Sequence, residues 1–468
     1  MRLLRTLLIA SIGLGSPALS TKAAELRAGA GAVVITPPAG TPMAGYYFAR
    51  AAEGVHDELY AKAIVLESGG TKAVLVGLDI ISTTRDLVAD ARREVERTTG
   101  IPAAHIMISA THAHTGPVLS GRGPKGGDMG RDSNPALAFR AGLPAKIASA
   151  VQLAASRLGP AKAQAGHGHE TSIAFNRRFH MKDGSVGWNP GKLNPDIVKP
   201  AGTIDPDVPV ITFESPDGKP LATYVNYAVH LDNIGGVKIS ADMPATLAKS
   251  LAEVKGPDML TLYTTGCCGD VNHIDVTWPD PQHGFENAAR MGVILAGEVF
   301  RTWPHLKSID GGPVRVKSAI VPLDLPPTRP GDVAKAREIV ARHNDSKAAQ
   351  PGFLDTVWAY KVLDVAAREG KPNEVEVQVI ALGDDVAWVS LPGEIFVELG
   401  LAIKKGSPFP TTVVAELANG SIGYIPAARS YAEGNYEVVS ARCAEGSGER
   451  LVAAALKLLG ELHTKGLR

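Results

Sequence analysis

What most constrains this chain is the alternation of short, unbroken Val/Ile/Leu runs with longer helical stretches. Strand-like runs fall at 60–67, 72–79, 105–109, 208–214, 221–227, 259–265, 314–321, 375–382, 386–391 and 412–416. Helix-like runs fall at 84–98, 135–157, 244–253, 285–303, 332–343, 395–405 and 449–462. Alternation of this kind predicts α/β layers. Strands that are apolar throughout, rather than at every second position, predict sheets covered on both faces. The expected fold class is therefore α/β, a layered mixed sheet with flanking helices. With 468 residues, 45% of them hydrophobic, the chain can bury a large core. Residue identities show no internal repeat and no low-complexity tract. Segments 308–313 and 326–330 are turn-rich, and 326–374 reads as a helical excursion before the final strands.

The start of the chain has the pattern of a secretory signal over residues 1–23. Arg2 and Arg5 precede an apolar stretch from Leu7 to Leu14, and Thr21-Lys22-Ala23 offers a cleavage site. No later segment approaches the ~18 apolar residues of a membrane span. The expected product is an exported, periplasmic or secreted protein of residues 24–468 without a transmembrane segment. Removing 1–23 leaves 45 basic against 48 acidic residues, a net charge of −3. No basic run with interleaved aromatics occurs, which argues against nucleic acid as a partner. Oligomeric state is not legible. Three cysteines, Cys267, Cys268 and Cys443, allow one disulfide between Cys443 and either neighbour, or three buried thiols.

The polar residues that stand out share one position type, just after a strand, where open α/β sheets place their sites. His112 and His114 follow the run ending Ile106-Met107-Ile108. In an extended backbone residues i and i+2 point the same way, so both imidazoles are expected to face one site. His230 follows 221–227, Asp270 and Asn272 follow 259–265, and Glu394 follows 386–391. Tyr424 lies in the glycine-rich 418–424, and Tyr436 lies beyond it. Each has an ordinary structural explanation: a core histidine, a helix-terminal acid, a packed tyrosine. Together they supply His, His and Glu, the donor set of catalytic zinc sites that leave a position open for water. The site is expected at the C-terminal ends of the strands.

The ordered series of short motifs resembles the neutral/alkaline (non-lysosomal) ceramidases, zinc-dependent amidases. It comprises Ile35-Thr36-Pro37-Pro38, the segment from Gly54 to Ala63, His112-Ala113-His114-Thr115-Gly116-Pro117 and Asn176-Arg177. It continues with Asn226 to His230, Ser240-Ala241-Asp242, Gly269-Asp270-Val271, Pro392-Gly393-Glu394 and Gly423-Tyr424. The resemblance implies Zn²⁺ held by His112, His230, Glu394 and Tyr424. It implies His114 as general acid/base and Arg177 and Tyr436 as contacts to the substrate amide. Two departures matter. The family's Gly-Asp-Val-Ser reads Gly269-Asp270-Val271-Asn272 here, so the serine is an asparagine, which cannot act as a nucleophile but can still bond the substrate. The family also continues into a C-terminal β-sandwich domain that this sequence does not include.

Three functions are consistent with the sequence: an exported zinc hydrolase cleaving an N-acyl amine such as ceramide, a zinc hydrolase of a non-lipid substrate, and a non-catalytic envelope ligand-binding protein. His56, Asp232, Asp242 and Asp270 read either as partners that orient ligands or as turn and capping residues. His167, His169, His180 and His273 carry no comparable signal, and His167-Gly168-His169 reads as a surface strand feature.

Overall fold

A computed structural model describes residues 25–119, 130, 132–309 and 311–464. The expected export signal at 1–23 lies outside the described residues. The first unit is an antiparallel meander of β1 (Arg27–Val34), β2 (Tyr60–Ser68) and β3 (Thr71–Leu78). Helix α1 (Arg85–Thr99) then crosses over to β4 (Ile106–Ala110), parallel to β3. Helix α2 (Asn134–Ser156) carries the chain to the other edge, where Gly159–Pro160 pairs with β1.

The same plan recurs. In the second unit β5 (Lys162–His169), β6 (Asp207–Glu214) and β7 (Pro220–Tyr227) form the meander. Helix α3 (Met243–Lys255) leads to β8 (Leu260–Thr265), parallel to β7, and α4 (Phe285–Thr302) leads back to the β5 edge. In the third, β9 (Val314–Leu323), β10 (Asn373–Leu382) and β11 (Val386–Ser390) are antiparallel. Helix α7 (Val397–Gly406) crosses to β12 (Thr411–Ala415), parallel to β11. The expected helical excursion is present as α5 (Asp332–Asn344) and α6 (Phe353–Ala366), inserted between β9 and β10. Short α8 (Ala428–Glu433) and α9 (Tyr436–Ser440) precede the final helix α10 (Ser447–Leu462).

The class is mixed α/β as expected, but the single layered sheet is replaced by three principal four-stranded arrangements of one topology. A repeat of topology is invisible in residue identity, because a buried strand needs only apolar side chains. One apolar cluster draws on all three sheets, with Ile64 and Leu75 from the first, Phe213, Tyr224 and Leu262 from the second, and Ile380, Trp388 and Val413 from the third. The other face of each sheet packs on its own helices: α1 and α2, α3 and α4, or α7 and α10. This double covering is why the strands read as continuous apolar runs.

Of these twelve strands, two escaped the sequence reading, β1 and, apart from its last residues, β5. Both are rich in Gly and Ala, which lowers strand propensity. The small residues are there for packing. A Cβ on Gly31 would lie 2.7 Å from the Ala150 carbonyl of α2, and one on Gly168 would lie 2.7 Å from Thr302 Oγ1 of α4. Each glycine lets the returning helix approach its sheet.

At one end the loops after the parallel pairs are stitched across units. Ala110 N donates to Leu417 O (3.1 Å), Glu416 N to Thr265 O (3.0 Å) and Gly269 N to Ile395 O (2.8 Å). Thr265 Oγ1 donates to Thr111 O (2.6 Å). Gly269 allows its own approach to Ile395, since a Cβ there would sit 2.5 Å from Glu394 O. Gly269→Ala is therefore expected to cost about 1–3 kcal/mol by overpacking and to displace Glu394. A thermal melt and a metal-binding titration check the two effects together.

Candidate metal centre and its cavities

The three loop sets bring one residue each, or two, to a common point. His112 comes from the first unit, His230 from the second, and Glu394 and Tyr424 from the third. Glu394–Ile395 and Tyr424–Ile425 pair as a short parallel ladder, which fixes the last two side by side. His112 Nε2 lies 2.9 Å from His230 Nε2. Glu394 Oε2 lies 3.4 Å from the first and 3.3 Å from the second. The Tyr424 hydroxyl is 3.5 Å from His230 Nε2.

The protons on these rings can be assigned. His112 Nδ1 is 2.9 Å from Ile81 O, and His230 Nδ1 is 3.1 Å from Cys268 O. A carbonyl only accepts, so each Nδ1 carries a hydrogen. In the neutral rings both Nε2 atoms then present lone pairs to each other and to a carboxylate. Such a cluster of acceptors is repulsive unless a cation lies among them: a metal ion, or a proton on His112, whose pKa burial would lower but the contact with Glu394 raises. A zinc ion bound at ~2.0–2.1 Å has tetrahedral ligand–ligand edges of ~3.3 Å, close to the spacings found. The donor set fits a divalent metal, and the carbonyl partners are the kind that fix ligand tautomers.

Electrostatics follow the same layout. Burial alone would raise the Glu394 carboxyl, but its contacts with His112 and His230 outweigh this and hold it well below the usual range. His230 is pushed down to about 4 by burial and by nearby Arg177. Burial also drives the Tyr424 phenol well above its ordinary value, with Glu394 adding to the effect.

His112 does not reach the site through extended backbone as expected. Strand β4 ends at Ala110, and His112 has φ +75°, in the left-handed region. This is backbone strain of the sort that functional sites retain. His114 still faces the same point, with Nε2 3.2 Å from His112 Nε2. Its Nδ1 is buried and has no hydrogen-bond partner among the described residues, unlike the Nδ1 of the other two rings. Burial and the neighbouring His112 hold His114 well below its ordinary pKa, so the ring is neutral at neutral pH.

Two cavities open onto these residues. The larger, about 460 Å³, is lined by His114, His230, Arg177, Tyr424 and Asp232, with Trp188, Phe353 and Tyr436 forming an aromatic wall. The smaller, about 230 Å³, reaches His112, His114 and Glu394 and extends to Asp364 and Arg442. Sequence reading did not single out Trp188, Phe353, Asp364 or Arg442. Trp188 stands on a short irregular strand, and Phe353 and Asp364 belong to the inserted helix α6, so no local pattern marked them.

Arg177 is buried, donating from Nε to Glu437 Oε1 (2.8 Å) and from Nη2 to Gly269 O (2.7 Å) and the Tyr424 hydroxyl (3.1 Å). Tyr436 lines both cavities, its ring 5.3 Å from that of Tyr424. Asn272 is placed differently. Its Nδ2 donates to Asn189 Oδ1 (3.1 Å) and its Oδ1 accepts from Ile274 N (3.0 Å), and it lines neither of these cavities. Glu437 was missed in the sequence, although a buried Arg177-Arg178 pair requires a counter-charge. Arg178 Nη1 lies 2.8 Å from Glu437 Oε2 and its Nη2 3.1 Å from Glu433 Oε2. Arg178→Met should cost about 3–5 kcal/mol by stranding a buried carboxylate, read as a fall in the thermal midpoint.

The remaining candidates brace loops. Asp270 accepts from Val397 N (2.8 Å) and Asn176 Nδ2 (2.8 Å). Asp242, at φ +61°, caps α3 and holds Asn233 (2.9 Å). His56 stacks on Phe285 at 3.8 Å, and His167 sits on β5 beside Asp207 (2.8 Å). Cys267, Cys268 and Cys443 are buried and unpaired, so the thiol alternative holds and no disulfide links them. No helix among the described residues is long and apolar enough to cross a membrane.

No family model matches the sequence, and no curated protein sequence matches it. Solved structures do. Neutral ceramidase from Pseudomonas aeruginosa superposes with a TM-score of 0.72 at 18% identity, over 95% of this chain and 76% of that one. A ceramidase solved in complex with C2 gives 0.70 at 17% identity, over 94% of this chain and 76% of that one. Across nearly its whole length, then, the chain has the fold of neutral ceramidase.

Proposed function

We propose that this protein is a zinc-dependent amidohydrolase that cleaves the amide bond of an N-acyl amine, with a ceramide-like lipid as the leading substrate. The convergence of His112 Nε2, His230 Nε2 and Glu394 Oε2 within 3.4 Å is the observation that carries the metal. The ceramidase fold supports amide hydrolysis, and the aromatic wall of the larger cavity supports an apolar substrate. The charged and then apolar start of the sequence supports export.

His112, His230 and Glu394, with Tyr424 beside them, would hold the ion. Bound zinc supplies a Lewis acid and lowers the pKa of a water towards about 7. His114, neutral and half-buried, accepts the proton of the attacking water and delivers it to the leaving nitrogen. The water oxygen bonds to the carbonyl carbon, the C–N bond breaks, and a carboxylate and an amine result. Arg177 has Nη1 without a partner among the described residues and lines the cavity, as does Tyr436, so both are placed to donate to the developing oxyanion. Asn272 acts at one remove, through Asn189 on the cavity wall.

A fluorescent N-acyl sphingosine assayed beside short-chain N-acyl amines tests the substrate class. Preferential cleavage of the sphingosine amide is expected. Cleavage of short amides alone makes the protein a zinc hydrolase of non-lipid substrates.

A further inference from the structure

Glu416 stands directly after β12, where the three units meet, and no step of the proposed chemistry uses it. Its side chain is fully buried. Burial pushes the carboxyl up to about 8, so at neutral pH it is largely an uncharged acid. Taking a carboxyl into a core costs desolvation, which only its hydrogen bonds offset. Their destinations are informative. Oε2 accepts from Ile395 N (2.7 Å) and from Cys268 N (3.2 Å), while Oε1 meets Cys268 Sγ at 3.1 Å.

Both peptide groups belong to loops that carry the metal candidates. Ile395 follows Glu394, and its carbonyl accepts from Gly269 N (2.8 Å). Cys268 supplies the carbonyl that meets His230 Nδ1 at 3.1 Å. One oxygen of Glu416 therefore clamps the Glu394 loop of the third unit to the second unit's carbonyl that sets the His230 tautomer. The clamp is itself anchored in all three units. Glu416 N donates to Thr265 O (3.0 Å), Leu417 N to Gly393 O (3.1 Å), and Leu417 O accepts from Ala110 N (3.1 Å), two residues before His112. Leu417 is held at φ +52°, a left-handed conformation that a leucine keeps only where its surroundings impose it. An apolar side chain of the same size would fill the space of Glu416 but leave two buried N–H groups without an acceptor.

We infer that Glu416 is a positioning residue of the candidate metal centre, one carboxyl oxygen holding the Glu394 loop and the carbonyl behind His230 in register so that both ligands face the same ion. The inference rests on the proposed metal site, and the role is alignment, not charge.

Zinc affinity of the purified protein, read by competition with a chromophoric chelator, tests this without any substrate. Glu416→Ala should weaken zinc binding about 10- to 100-fold, the usual worth of a group that supports a ligand. Its circular dichroism spectrum at the titration temperature should remain that of the folded protein. Glu416→Gln should keep an affinity close to that of the unmodified protein, because its amide carbonyl can accept the same two N–H bonds. If the alanine variant does not fold, Glu416→Asp, which keeps the acid but is one methylene shorter, should show the loss instead. Unchanged zinc affinity in a folded alanine or aspartate variant overturns the inference and leaves the metal site standing. A glutamine variant as weak as the alanine one also overturns it, since that marks a charge acting on the ion. If the unmodified protein takes up no zinc, the metal reading fails and the inference falls with it.

Discussion

Alanine in place of His112 is expected to abolish metal binding and hydrolysis together. Within the proposed ligand set this ring alone comes from the first unit, and it is held from both sides. Its Nδ1 meets Ile81 O at 2.9 Å, and its backbone is locked at φ +75° by a bond from its own N–H to Ile80 O (3.0 Å). Loss of a partner that merely supports a ligand costs about 10- to 100-fold in metal affinity, and loss of the ligand should exceed this. Metal content by mass spectrometry should fall from about one ion per chain to background, with turnover. The fold should survive, because the shared apolar core of the three sheets does not depend on the ion. A variant that keeps its metal, or loses activity while keeping it, removes His112 from the ligand set.

His114→Ala separates chemistry from binding. Metal content should stay at that of the unmodified protein, while kcat falls about 10²- to 10⁴-fold, the usual worth of a positioned acid/base. The pH dependence has a definite sign. His114 must be neutral to accept a proton, and burial together with His112 depresses its pKa well below the ordinary 6.5. The rate should therefore hold through neutrality and fall on the acid side of pH 6.5, as the ring becomes protonated. Metal loss in this variant would make His114 a ligand, which its 3.2 Å approach to His112 Nε2 makes worth testing.

Much of this was legible in the sequence. Long Val/Ile/Leu runs such as 375–382 located their strands to within two residues, because burial on both faces leaves no room for polar exceptions. The threefold plan was not legible, since it resides in strand pairing and not in residue identity. Strands β1 and β5 hid behind glycines chosen for helix contact. At the site, the histidines, Glu394 and Tyr424 could be named because chemistry restricts which residue types bind a metal. The cavity walls could not, because any aromatic or charged residue carried in by an inserted helix can serve, as Phe353 and Asp364 do. Glu437 and Asp232 fall between. A buried arginine pair demanded the first, and the second could be named only as a ligand-orienting or turn residue, because local sequence does not show that His273 lies 3.0 Å from its carboxylate.

The most direct test is metal content and hydrolysis measured together on the purified protein, with N-acyl sphingosine and short N-acyl amines, before and after a chelator. The proposed function predicts about one zinc per chain, amine release that stops when the chelator removes it, and recovery when zinc is restored. Amide cleavage undiminished in fully metal-depleted protein would contradict it, as would a protein that takes up no zinc and cleaves no amide.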